Sequence, residues 1–344
     1  MSESKGSTLE NLLGAALSKP EVGALLAMVD VPRSLVEEDR EDASRAVIAE
    51  ALCLLLFWDL LRRVPTGRRY VEEARAGGRK IVFDHGALRT VALESMGRLP
   101  AGYRSISRVL EPLGYSVTGL YPLGRIGMTG RAFTHLDLPE SIPQFFVSEL
   151  HPENFSDGFQ KIVRGVLATS VDPLSDPDMA LLKELAVHGR LSREKAHLLL
   201  PALLRCFGRQ HEPPLLRDYL GLLDESAEMA WIATEGNAFN HVTDRVEDVA
   251  ALAEEQRRLG RPLKEKIEIS SSGRVRQTAF KADPVSREFV GSKEERVWRH
   301  VPGSFYEFIQ RALTKDERSG TMKLDLTFDS SNAQGIFRMT DARA

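Results

Sequence analysis

Cysteine is nearly absent: Cys53 and Cys206 are the two in 344 residues, both inside apolar runs that read as helix. A disulfide framework is excluded, and so is a cysteine-rich zinc or iron–sulfur site. An excess of one charge sign is also lacking. The 46 Lys and Arg against 49 Asp and Glu leave a formal net charge of −3, which argues against a general nucleic-acid or membrane-surface binder. The greasiest stretch, Ala51 to Trp58, is bounded by Glu50 and Asp59. It falls far short of the ~20 apolar residues of a spanning helix. The opening Met1-Ser2-Glu3-Ser4-Lys5 has no apolar signal region, and no low-complexity tract interrupts the chain. The expectation is a cytoplasmic protein that binds neither nucleic acid nor membrane. With 42% hydrophobic residues there is enough apolar material for a sizeable core and about two to three domain-sized units.

The texture of the chain divides it into four. Residues 1–77 read as an N-terminal helical region, where Val47, Ala51, Leu54, Leu55, Trp58 and Leu61 follow the spacing of one buried helix face until Pro65-Thr66-Gly67. Residues 78–151 read as strand, helix and three strands. A helical insert occupies 152–235. Residues 236–344 repeat the strand–helix–strands order and carry the C-terminal tail. Strand candidates in this last part are Ala238–Val242, Lys266–Ser270, Arg274–Lys281, Glu295–Val301 and Ser304–Arg311.

A faint internal repeat links the second and fourth parts. Phe83-Asp84-His85-Gly86-Ala87-Leu88-Arg89 and Phe239-Asn240-His241-Val242-Thr243-Asp244-Arg245 share F-x-H-x-x-x-R. Each copy is followed by a helix ending in Leu-Gly, at Leu113-Gly114 and Leu259-Gly260. Each then reaches an aromatic-flanked glutamate: Glu149 lies 64 residues after His85, and Glu307 lies 66 after His241. The fold class expected is α+β, with two βαβββ modules side by side. Alternate residues of a strand share a face, so an inward histidine on one strand can meet an inward glutamate from another. His85, His241 and Glu307 would then form a two-imidazole, one-carboxylate centre with open positions, the donor set of non-haem Fe(II) oxygen chemistry. Two hydrogen-bonded core histidines would satisfy the same pattern, and the residues alone leave both readings open.

The segments Phe83–Val91, Asn240-His241-Val242-Thr243-Asp244-Arg245, Phe305-Tyr306-Glu307-Phe308 and Phe328–Phe337 resemble the 2-oxoadipate dioxygenase/decarboxylase family. The likeness spans roughly residues 80–340. It implies a vicinal-oxygen-chelate core forming a barrel-like metal site, with added helices. It implies Fe(II) held by His85, His241 and Glu307, and an arginine, Arg89, on a substrate carboxylate. The activity implied is conversion of 2-oxoadipate with O2 to 2-hydroxyglutarate and CO2. The polar tail residues Ser331 and Asn332 fall where the family lines its substrate pocket. Better-characterised members carry a Val-Ser pair there, which bears on the identity of the oxo acid more than on the metal.

Other residues have plainer readings. Arg89 would clamp a carboxylate through two parallel hydrogen bonds, against the alternative of a structural ion pair with Asp84 or a nearby glutamate. Arg245 is expected to pair with Glu247 or Asp248. Glu149 is left as structural or as support around the ligands, because a fourth protein ligand would crowd the positions a chelating 2-oxo acid and O2 must share. His135 and His151 read as core or surface residues. Two other functions stand against the oxygenase. A glyoxalase-like isomerase or lyase would recruit Glu149 as a fourth ligand, and a non-catalytic binding module would hold no metal.

Overall fold

The computed structural model describes residues 6–315, 320–330 and 338–340. Among them the chain begins with α1 (Thr8–Leu13), α2 (Lys19–Met28) and α3 (Arg33–Val36), then the short strand β1 (Asp42–Ser44), α4 (Arg45–Arg63) and α5 (Pro65–Ala76). The Ser44 hydroxyl caps α4 by accepting from Val47 N–H, and most of that helix is buried. The helical pattern ends before Pro65 as expected, α4 stopping at Arg63, and Pro65 then begins a second helix, α5. A proline in the first turn lacks only an N–H that the helix would leave unpaired, and its φ already suits the helix.

The first module follows as β2 (Phe83–Val91), α6 (Arg104–Leu110), β3 (Tyr115–Leu123), β4 (Met128–His135) and β5 (Gln144–Leu150). The helical insert holds α7 (Asp157–Leu167), α8 (Asp176–His188), β6 (Arg190–Ser192), α9 (Arg193–Arg205), α10 (Leu216–Glu225) and α11 (Ala227–Glu235), and β6 pairs antiparallel with β1. The second module has β7 (Phe239–Arg245), α12 (Val249–Arg258), β8 (Glu268–Ile269), β9 (Val275–Ala279), β10 (Pro284–Val290), β11 (Arg296–Pro302) and β12 (Phe305–Arg311); β13 (Leu313–Lys315) and β14 (Met322–Leu324) come after it. The Leu-Gly stops have a shared geometry. Gly114 has φ +93° and Gly260 φ +71°, the left-handed turn that glycine takes without a Cβ penalty.

Eight strands form one curled sheet, a half-barrel, in the order β3-β4-β5-β2-β7-β12-β9-β8. Each module pairs its first strand parallel with its last, β2 with β5 and β7 with β12, while β2 and β7 meet antiparallel at the centre. The two modules are therefore related by a pseudo-twofold through the β2–β7 seam. The second module departs from the first by the hairpin β10–β11, which forms a two-stranded sheet of its own and touches the insert through a bridge between Val290 and Leu215. Glu295–Val301, read from the sequence as a strand of the module, belongs to this hairpin. Its partner β10 begins with a proline and lacks an apolar alternation, so it was not visible as a strand.

Alternation sorts the sheet's side chains between two cores. Phe83, Leu88, Phe145, Val147, Phe239, Val242, Tyr306 and Phe308 pack on the convex face against α4, α5 and α9 residues such as Phe57, Tyr70 and Leu203. Ala87 and Phe146 face the concave side, where α7, Met229 and Trp231 of α11, and Phe289 and Val301 of the hairpin close over them. No helix among the described residues is long and apolar enough to cross a membrane.

Glu50 breaks the apolar pattern of α4. It is 2% exposed, and its Oε2 has no hydrogen-bond partner among the described residues. Burial pushes its carboxyl up to about 8, from 4.5. Below pH 8 the folded chain keeps this proton, whereas the unfolded chain releases it above pH 4.5. The group's full stability is therefore present below about pH 4.5 and is lost progressively as pH rises to about 8, on the order of 3–5 kcal/mol. Glu50→Gln, which cannot ionise, is expected to melt close to the wild type near pH 4.5 and several degrees above it at pH 8. A melting-temperature difference that stays constant across that range would contradict this account.

Candidate metal centre

Three strands deliver the three donors. His85 lies on β2, His241 on β7 and Glu307 on β12, and all three side chains are buried. The register places them together: His85 and Glu307 both pair with Thr243, and His241 pairs with Ala87 and Phe305. Thr243 stands two residues from His241, so all four side chains share the concave face. One nitrogen from each histidine and one carboxylate oxygen lie within 4.8 Å of one another. Glu307 Oε2 is 2.9 Å from His241 Nε2 and 3.6 Å from His85 Nε2. Donors about 2.1 Å from one shared ion, at right angles, stand about 3.0 Å apart, so the two spacings from Glu307 are those of donors that can share one first-row divalent metal. Thr243 Oγ1 lies 3.1 Å from His85 Nε2 and donates to Glu307 Oε2 at 2.8 Å.

The two imidazoles are held differently. His85 Nδ1 is 2.8 Å from Asp84 Oδ1, an arrangement that fixes the tautomer and leaves Nε2 for a ligand. Adjacent strand residues normally point to opposite faces. The register shift between Phe83 and His85 is a bulge that re-aims Asp84 to the same side as His85. Arg311, four residues beyond Glu307, donates from Nε to Asp84 Oδ2 at 2.9 Å and from Nη2 to Oδ1 at 2.9 Å. Burial works against the Asp84 charge, but Arg311 and His85 outweigh it and hold the carboxyl well below the usual range. Glu307 is likewise held low, with His241 overcoming the cost of burial. Burial also opposes a charge on His85, yet the bonds to Asp84 and Glu307 raise its pKa. His241 is lowered by burial, stacks on Phe305 at 4.7 Å, and its Nδ1 has no partner among the described residues.

Arg89 shares the concave face with His85 and Ala87, about 13 Å along β2 from His85 at ~3.3 Å per residue. It is fully buried, donates from Nη2 to Thr340 Oγ1 at 2.8 Å and lies 4.9 Å over the Trp231 ring. Burial lowers its pKa to about 10, with Glu228 acting in the opposite direction. Asp84, its suggested alternative partner, is engaged by Arg311 instead. Ser331 and Asn332 lie outside the described residues.

Two expectations are corrected. Arg245 does not turn to Glu247 or Asp248; its Nη1 is 3.8 Å from Asp84 Oδ2. Asp248 is committed to capping α12, accepting from Ala250 and Ala251 N–H. The glutamates of the repeat are not equivalent either. Glu149 pairs in register with Thr90, whereas Arg89 pairs with Ser148, so Glu149 points away from the centre. It accepts from Arg131 at 2.7 Å and from Tyr103 N–H at 3.0 Å. Since His85 pairs with Gln144 as His241 pairs with Phe305, the residue matching Glu307 is Phe146. His135, His151 and His211 likewise stand outside the cluster. Asp84 and Arg311 were not identified from the sequence as parts of the site. A signal for Arg311 existed, because Glu307-x-x-x-Arg311 repeats the spacing of His85 to Arg89 and His241 to Arg245.

A half-barrel of two paired βαβββ modules with a buried His-His-Glu cluster on its concave face defines a vicinal-oxygen-chelate-type protein with a candidate metal centre. The family model described as 2-oxoadipate dioxygenase/decarboxylase matches residues 59–338, and the chain belongs to that family. A curated relative, the chloroplastic 2-oxoadipate dioxygenase/decarboxylase of Arabidopsis thaliana, is 24% identical over 307 residues, covering 81% of this chain and 74% of its own. Among solved structures, a glyoxalase superfamily protein of Ralstonia eutropha JMP134 is 52% identical with a TM-score of 0.89, covering 94% of this chain and 98% of its own. The hydroxyglutarate synthase of Oryza sativa, solved with 2-oxoadipate, has the same fold at 20% identity and a TM-score of 0.65, covering 92% of this chain and 96% of the other.

Proposed function

We propose that this protein oxidatively decarboxylates a 2-oxo dicarboxylic acid, 2-oxoadipate, to 2-hydroxyglutarate, using Fe(II) held by His85, His241 and Glu307. The observation that carries this reading is the convergence of two imidazoles and one carboxylate on a face that also presents a buried arginine four residues along one ligand strand. Bound iron would supply a site where the 2-oxo acid and O2 meet. The chain's own residues would do the rest. His85 is aimed by Asp84, and Glu307 is aimed by the Thr243 hydroxyl. Arg89 would take the distal carboxylate of the substrate. Trp231, which lies under the Arg89 guanidinium, would keep water from that ion pair and so strengthen it. The reaction balances as 2-oxoadipate plus O2 giving 2-hydroxyglutarate plus one CO2: six carbons enter, and five remain in the hydroxy acid. The isomerase reading loses its fourth ligand, because Glu149 is bound to Arg131 on the opposite face.

Protein loaded anaerobically with Fe(II) and then given O2 and a panel of 2-oxo acids is expected to consume one O2 and release one CO2 per 2-oxoadipate. Iron bound in full with no O2 uptake on any 2-oxo acid would rule the oxygenase out.

A further inference from the structure

Arg311 does more than hold Asp84. Its side chain is wholly buried. While Nε and Nη2 engage Asp84, Nη1 donates to the carbonyl oxygens of Asp325 at 2.9 Å and Thr327 at 2.8 Å. The guanidinium carbon lies 4.9 Å over the ring of Phe328. That ring meets the His85 imidazole edge-on at 4.9 Å and 86°. The segment is tied down further by Tyr121, whose hydroxyl accepts from Phe328 N–H at 3.1 Å, and by Gln144, which donates to Leu326 O at 3.3 Å. One planar fork thus joins the carboxylate that orients a metal ligand to the C-terminal segment that walls it, a pairing the single ammonium of lysine cannot reproduce.

We propose that Arg311 is a positioning residue that couples the segment Asp325–Phe328 to the metal ligand His85 through Asp84. Metal binding and the ordering of this segment are then linked, each favouring the other by the same factor. This rests on the metal reading of His85, His241 and Glu307.

The test measures Co(II) affinity of the full chain by chelator competition, together with amide exchange at Asp325 and Phe328 with and without Co(II). Arg311→Gln is expected to weaken Co(II) binding by roughly 10–100-fold, the usual cost of losing a group that orients a ligand. Asp84→Asn should do the same, and the double variant should be no worse than the poorer single, because both act along one route. Co(II) should slow exchange at Phe328 in the wild type and have little effect on it in Arg311→Gln. If Arg311→Gln does not fold, Asp84→Asn must by itself abolish the effect of Co(II) on Phe328 exchange. A merely structural arginine would lower the melting temperature yet leave the metal dependence of exchange intact, which would overturn the proposal. So would an affinity within about twofold of wild type, or fold-losses that multiply in the double variant. If the wild type itself binds no Co(II), the metal reading falls and this inference with it. If the wild type binds and Arg311→Gln binds as tightly, only the coupling fails.

Discussion

Alanine at His85, His241 or Glu307 is expected to leave the protein folded and largely free of metal. Structural zinc sites gain ~10–16 kcal/mol over four ligands, so one ligand of a small set is worth about 2.5–4 kcal/mol, a loss of roughly 60- to 700-fold in affinity. The three replacements should have similar effects, because the donor atoms converge on one point and the nearest other oxygens are already committed: the Thr243 hydroxyl donates to Glu307, and Asp84 is held by Arg311. Glu149, the glutamate of the first repeat copy, faces the other side of the sheet and cannot substitute. Elemental analysis after Fe(II) loading under anaerobic conditions measures this directly, with the melting temperature as the control for folding. Full iron occupancy in any one variant would remove that residue from the centre. Glu149→Gln is the internal comparison. It should retain iron and lose only the stability of its contacts with Arg131 and Tyr103 N–H.

Arg89→Ala is expected to bind iron normally and to lose its grip on a diacid. A 2-oxo diacid that chelates a metal through its oxo acid end leaves a second carboxylate on a buried face. An unpaired charge there costs several kcal/mol. Arg89 is on that face, buried, and on the ligand strand itself. Truncating one partner of such a pair usually costs about 2–5 kcal/mol, so substrate binding should weaken roughly 30- to 4,000-fold. Arg89→Lys should also be poor, since an ammonium cannot form two parallel hydrogen bonds to a carboxylate. The informative comparison is 2-oxoadipate against 2-oxohexanoate, which lacks the distal carboxylate. The wild type should strongly prefer the diacid, and Arg89→Ala should treat the two nearly alike. Wild-type kinetics and selectivity in Arg89→Ala would end the carboxylate-clamp role. Because Arg89 also stacks on Trp231 and bonds Thr340, the comparison is made between substrates in the same variant, where any loss of stability cancels.

Three arginines show how far spacing alone can carry. Arg89, Arg245 and Arg311 each follow a candidate ligand by four residues, and strand alternation puts each on its ligand's face. Their roles diverge because β7 and β12 run parallel while β2 runs against them. Arg245 and Arg311 therefore arrive beside Asp84 at one end of the cluster, and Arg89 stands at the other end. No local pattern in the chain encodes strand direction across a sheet.

The sequence by itself determined the residues that could act and the elements that carry them. The repeated F-x-H-x-x-x-R, the Leu-Gly helix stops and the apolar alternation of the strands follow from short-range backbone and side-chain preferences, which leave traces in a few consecutive residues. Only the tertiary structure decided which of the candidates meet. The parallel register of β2 and β5 turned Glu149 outward and gave its place to Phe146, and a one-residue bulge brought Asp84 round to His85. Arg311 was drawn to that carboxylate from a strand more than 200 positions away. Each of these depends on a register shift of one residue or on the direction of a distant strand. Such choices are settled by packing the whole sheet, and a single stretch of sequence holds no record of them.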